Sequence, residues 1–111
     1  MNIRYEAVFH KKGDMKYISH LDLMKLFRRA MRRTDLPVVL TKGFTPRVKI
    51  SIPKALKLGA ESDNENMSLW MTEKIEPERV QKTINAELPN GIKILILGTS
   101  YSGTPLSTEK E

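Results

Sequence analysis

Lys25, Arg28, Arg29, Arg32 and Arg33 stand at offsets of three, four, seven and eight residues within one stretch of chain. On a helix that spacing puts all five on one face. Like charges on adjacent turns repel by a few tenths of a kcal/mol per pair, so the row makes physical sense where an anion lies across it. A phosphate backbone would suit. The competing reading is a solvated face whose last cations, Arg32 and Arg33, complement the negative end of the helix dipole. Contact with RNA or DNA is the stronger of the two. Lys42, Arg47 and Lys49 extend the patch if the Gly- and Pro-containing loop Thr41–Pro46 folds back beside the helix, and Phe44 at its tip could stack on a base. The alternative for Phe44 is a plug under the loop.

Other residue sets offer less. His20 with Asp22, beside Ser19, could form an acid–base pair. However, a helix N-terminus disfavours a protonated imidazole, and capping plus the helix dipole explains Asp22. Glu61, Asp63 and Glu65 lack the Asp-Gly spacing of a calcium loop and read as a solvated acidic stretch. With no cysteine and two histidines, His10 and His20, the chain has no thiolate ligand and no histidine cluster, so no metal site and no cofactor on this chain is expected. Walker, nucleophile-elbow and G-x-G-x-x-G motifs are absent.

These residues need elements to position them. Ile3, Tyr5, Ala7 and Phe9 alternate with polar neighbours as a strand does. Lys11–Asp14 reads as a turn, with Met15–Ile18 extending or bending the strand. Ser19, with Asp22 three residues on, starts a helix that runs to about Arg33 and buries Leu23, Leu26 or Phe27, Ala30 and Met31 before Pro37. Val48, Ile50 and Ile52 make a second strand closed by Pro53, and residues 66–72 a third, with Met67, Leu69 and Met71 inward and Trp70 outward. Pro77 opens a second helix carrying Val80, Ile84 and Leu88, which Pro89-Asn90-Gly91 ends. Residues 92–97 form the fourth strand.

The order strand, helix, strand, strand, helix, strand predicts an α+β fold, a ferredoxin-like βαββαβ sandwich with an antiparallel sheet and both helices on one face. Residues 1–99 read as the single domain and 100–111 as a flexible tail or linker. Ferredoxin-like RNA-recognition modules stack bases on aromatics of the open sheet face. Here that face offers Trp70 alone and no RNP-like run. Val8, Trp70, Leu95 and Leu97 instead make it partly apolar, so a partner protein or a homodimer mate is expected to cover it.

A chain of 111 residues closes one core. Its charged fraction of 29% and hydrophobic fraction of 40% are those of a globular domain. The net charge of +6 is uneven: residues 1–54 hold 13 Lys+Arg against 4 Asp+Glu, whereas residues 55–111 hold 6 against 9. The excess positive charge, and with it the attraction to a polyanion, belongs to the first half. No apolar run approaches membrane-spanning length, and the expected location is cytoplasmic, without membrane contact.

The run Tyr17-Ile18-Ser19-His20-Leu21-Asp22-Leu23 through Arg33, followed by Leu36-Pro37 and Lys42-Gly43-Phe44-Thr45-Pro46, strongly resembles a bacterial family, the radical-SAM-linked proteins of unknown function. Leu58-Gly59-Ala60-Glu61-Ser62 and Leu88-Pro89-Asn90-Gly91-Ile92 resemble it too, so the likeness spans roughly residues 3–97. Where the family pattern has Asn after the Gly-Phe pair and His after the Pro, this chain has Thr45 and Arg47. Family members run longer, so the chain reads as a first half or a short version. The resemblance implies a radical SAM protein as partner in trans and assigns no activity. Together these readings point to a non-catalytic accessory protein that binds RNA or an RNA-containing complex beside a radical SAM enzyme. The rivals are a protein–protein interaction module docking an acidic partner and a small enzyme using His20 and Asp22.

Overall fold

A computed structural model describes residues 2–53 and 58–99. The elements are β1 (Ile3–Lys11), α1 (His20–Arg32), β2 (Ile50–Ser51), β3 (Ser62–Met71), α2 (Pro77–Asn85) and β4 (Ile92–Thr99), with a 3-10 turn at Gly13–Tyr17 after β1. The strands form one sheet in the order β2-β3-β1-β4, and every neighbouring pair is antiparallel. This is the expected ferredoxin-like plan. The tail assigned to residues 100–111 lies outside the described residues.

Alternation along β1 buries Tyr5, Ala7 and Phe9 against Met67, Leu69 and Met71 of β3. Leu23, Phe27 and Met31 of α1 and Val80 and Ile84 of α2 complete one core cluster. Phe9 and Phe27 meet edge to face, with ring centroids 5.0 Å apart. The buried Tyr5 hydroxyl donates to Ile75 O at 2.7 Å and accepts from Ile75 N at 2.8 Å, fastening the entry to α2.

Four expectations are corrected. Residues 13–17 form a 3-10 turn in place of a strand extension. β2 shrinks to two residues between Pro46 and Pro53, and Val38 and Leu40 contribute isolated bridges to Met71 and Val48 beside it. β3 begins four residues early, at Ser62, so the acidic stretch is not a free loop. Lys12 Nζ meets Asp63 at 2.9 Å, which holds the lysine above its ordinary pKa, and Gly13 N donates to Glu61 Oε2 at 2.8 Å. Glu65 is buried opposite Phe9, near the equally buried Lys11, whose Nζ donates to Ile18 O at 3.1 Å.

The fourth correction lies in β4. Val8 pairs with Ile96 but Phe9 with Ile94, so Leu95 is an extra residue in a bulge. The parity of the strand therefore flips. Leu97, expected on the open face, pairs with Ala7 and is buried in the core, while Leu95 and Ile96 are both exposed.

Candidate nucleic-acid interface

α1 is cut to shape at its start by Ser19, whose Oγ accepts from Asp22 N at 3.1 Å. Its buried residues Leu23, Phe27, Ala30 and Met31 define one stripe. At about 100° per residue, the five cations occupy an arc of about 140° on the opposite side. Lys25, Arg29, Arg32 and Arg33 are exposed, and among the described residues no carboxylate forms an ion pair with any of the five. The face therefore carries cations without an ion pair among the described residues, and Asp22 is the one acid of α1, on the same side at its first turn.

Arg28, at one edge of the arc, is half-buried and its Nε donates to Val48 O at 3.3 Å. It pins α1 to a small hairpin. There Leu40 bridges Val48, Thr41 N donates to Arg47 O at 2.7 Å, and Arg47 N donates to Thr41 Oγ1 at 3.1 Å. The turn between them uses Gly43 at φ 126°, a conformation side chains other than glycine's avoid. Phe44 at the tip has a relative exposure of 107%, so the core-plug alternative fails. Lys42 and Arg47 flank it in solvent.

Lys49 does not join this patch. Next to the buried Val48, it turns to the other side of the sheet, where its Nζ lies 4.7 Å from the Trp70 ring centroid. The Arg4 guanidinium lies 5.6 Å from the same ring. Arg4 also pairs with Glu6 and donates to Ser68 Oγ, which donates on to Glu6 Oε1 at 3.0 Å. Trp70 thus sits on the open face, as expected, but among cations. The apolar part of that face is Val8 with Leu95 and Ile96, on the β1–β4 side.

His20 and Asp22 are not brought together. Two residues apart on a helix they diverge, and no hydrogen bond joins them among the described residues. Asp22 is exposed at the helix start, and His20 Nδ1 is buried without a partner. Among the described residues, no group of three or more His, Asp and Glu is arranged to hold a metal ion. No helix there is long and apolar enough to cross a membrane.

Sequence reasoning missed a groove of about 620 Å³ between α1 and the chain leaving α2. Lys25, Arg29 and Arg33 line one wall, and Glu87, Leu88 and Pro89 the other. The four-residue spacing of those three cations was legible, but their opposite wall comes from the end of α2, far away in sequence.

Fold and charge together define a ferredoxin-like α+β domain with a cationic helical face and an adjoining aromatic-tipped hairpin. The chain belongs to a bacterial family described as "Uncharacterized protein conserved in bacteria (DUF2344)", whose model matches residues 4–108. No curated protein matches it.

Proposed function

We propose that this chain is a non-catalytic accessory protein that binds RNA through α1 and the Thr41–Arg47 hairpin and serves a radical SAM enzyme in trans. The observation that carries the RNA reading is the row of cations on α1 that no ion pair engages among the described residues, with Arg28 holding beside it a hairpin whose Phe44 is fully exposed between Lys42 and Arg47. Cations contact phosphates without regard to sequence, and an exposed ring between them offers a stacking platform for an unpaired base. The radical SAM link rests on the family resemblance of the Tyr17–Arg33 and Lys42–Pro46 runs. Val8, Leu95 and Ile96 supply an apolar patch on the opposite face of the sheet for docking the enzyme, leaving α1 free for RNA.

Fluorescence anisotropy with a short single-stranded RNA, against polyglutamate of similar charge, tests the first half. Tight RNA binding is expected. Preference for polyglutamate would instead favour a module for acidic proteins. For the second half, co-expression with a radical SAM protein from the same bacterium should yield a complex that Val8→Asp with Ile96→Asp dissolves. Independent elution of the two unaltered proteins would count against it.

A further inference from the structure

We infer that the groove between α1 and the chain following α2 is a pocket for one unpaired nucleotide whose base carries an exocyclic amine. The inference rests on the RNA reading above and names the class of ligand. The groove's volume, about 620 Å³, lies within the range of small-ligand sites. Three kinds of lining meet there. Lys25, Arg29 and Arg33 rise along one wall at steps of about 6 Å, and none has an ion-pair partner among the described residues. Leu26, Ala30 and Leu88 supply an apolar surface. Asp22 and Glu87 place carboxylates in the same groove.

The carboxylates decide the class of ligand. A site for phosphate alone, or for an acidic peptide, would gain nothing from two acids that repel it. A nucleotide uses all three linings: its phosphate meets the cations, its flat base covers the apolar surface, and an amine on the Watson–Crick edge donates to a carboxylate. The base must be unpaired, because in a duplex that edge is occupied and stacked inside.

The test compares oligocytidine and oligouridine RNA of equal length, which carry the same charge but differ in the exocyclic amine. Oligocytidine is expected to bind roughly tenfold more tightly, in keeping with the discrimination a good base contact supplies. Glu87→Met alone, and with Asp22→Ala, should bring the two affinities together without lowering the salt dependence, since every cation remains. Both positions lie outside the core, and the Ser19 cap uses the Asp22 backbone N–H, which every variant keeps. Glu87→Met should therefore melt like the unaltered protein, and the double variant should lose only the small stabilisation that a first-turn carboxylate contributes. Equal affinity of the unaltered protein for the two RNAs would overturn the pocket and leave the RNA reading standing. So would equal affinity for oligocytidine already paired in a duplex. Binding of neither RNA at low salt would remove the RNA reading, and the pocket with it.

Discussion

Phe44 has no packing role to lose, because its ring is wholly in solvent. Phe44→Leu should leave the thermal midpoint unchanged and weaken binding of single-stranded RNA by about 1–3 kcal/mol, the worth of one stacked base. Calorimetry and anisotropy on the same preparation check both halves. A lowered midpoint with unchanged affinity would mean that the ring supports the hairpin.

Lys11 makes the contrary case of a charge with a structural cost. Burial pushes its ammonium below the ordinary value of 10.5, with the Glu65 carboxylate acting the other way. Between the lowered value and 10.5 the unfolded chain holds the extra proton, so stability rises with pH across that window. The penalty is fully present below the folded value and is relieved as pH climbs through it. Urea melts of the native protein and Lys11→Met, from neutral pH to 10.5, should show their difference moving in favour of the native protein. A pH-independent difference would contradict this account.

At the scale of elements, β4 is an edge strand that α2 protects. Asn85 Oδ1 accepts from Ile94 N at 2.8 Å and its Nδ2 donates to Ile94 O at 3.0 Å, while Gln81 donates to Ile94 O and Leu95 O at 3.1 Å. The two side chains stand in for a neighbouring strand at the bulge. Asn85→Ala leaves the Ile94 N–H unpaired, while Ile94 O keeps its bond from Gln81, and should cost about 1–3 kcal/mol in urea unfolding, with unchanged RNA affinity. Gly91, at φ 99°, ends the crossing from α2, and a Cβ there would lie 2.5 Å from Lys12 O. Gly91→Ala should therefore destabilise by about 1–3 kcal/mol or more, read the same way.

The elements that announced themselves in sequence are those with a local cause. Ser19 and Pro77 mark both helix starts, and period-2 burial marks β1. What stayed hidden depends on partners distant in sequence. The bulge at Leu95 arises only from pairing with β1, and it exchanged Leu97 for Ile96 on the open face. The acidic stretch of Glu61, Asp63 and Glu65 reads as a solvated loop until Lys11, Lys12 and Gly13 are laid beside it. Of the site, the cationic arc follows from helical spacing alone. The separation of Lys49 from it required its placement over Trp70 of the neighbouring strand, and the groove required the end of α2.

Over the whole molecule, the uneven charge acquires a geometry. The cations of α1 lie opposite its core-facing stripe, with the hairpin tied to the same helix by Arg28, whereas Arg4 and Lys49 gather around Trp70 on the other side of the sheet. On the proposed reading a polyanion would meet the first surface and a protein the Val8, Leu95 and Ile96 patch beside the second, so both could be engaged at once. The most direct test of the central claim is the affinity for single-stranded RNA as a function of salt, for the native protein and for Arg29→Ala with Arg32→Ala. Both arginines are exposed and alanine favours helix, so the fold should persist. Each neutralised phosphate on a single strand contributes about 0.7 to the slope of log K against log salt, so the double variant should lose about 1.4 of that slope and bind more weakly at low salt. A native affinity indifferent to salt, or a slope the variant leaves unchanged, would contradict an RNA-binding role for this face.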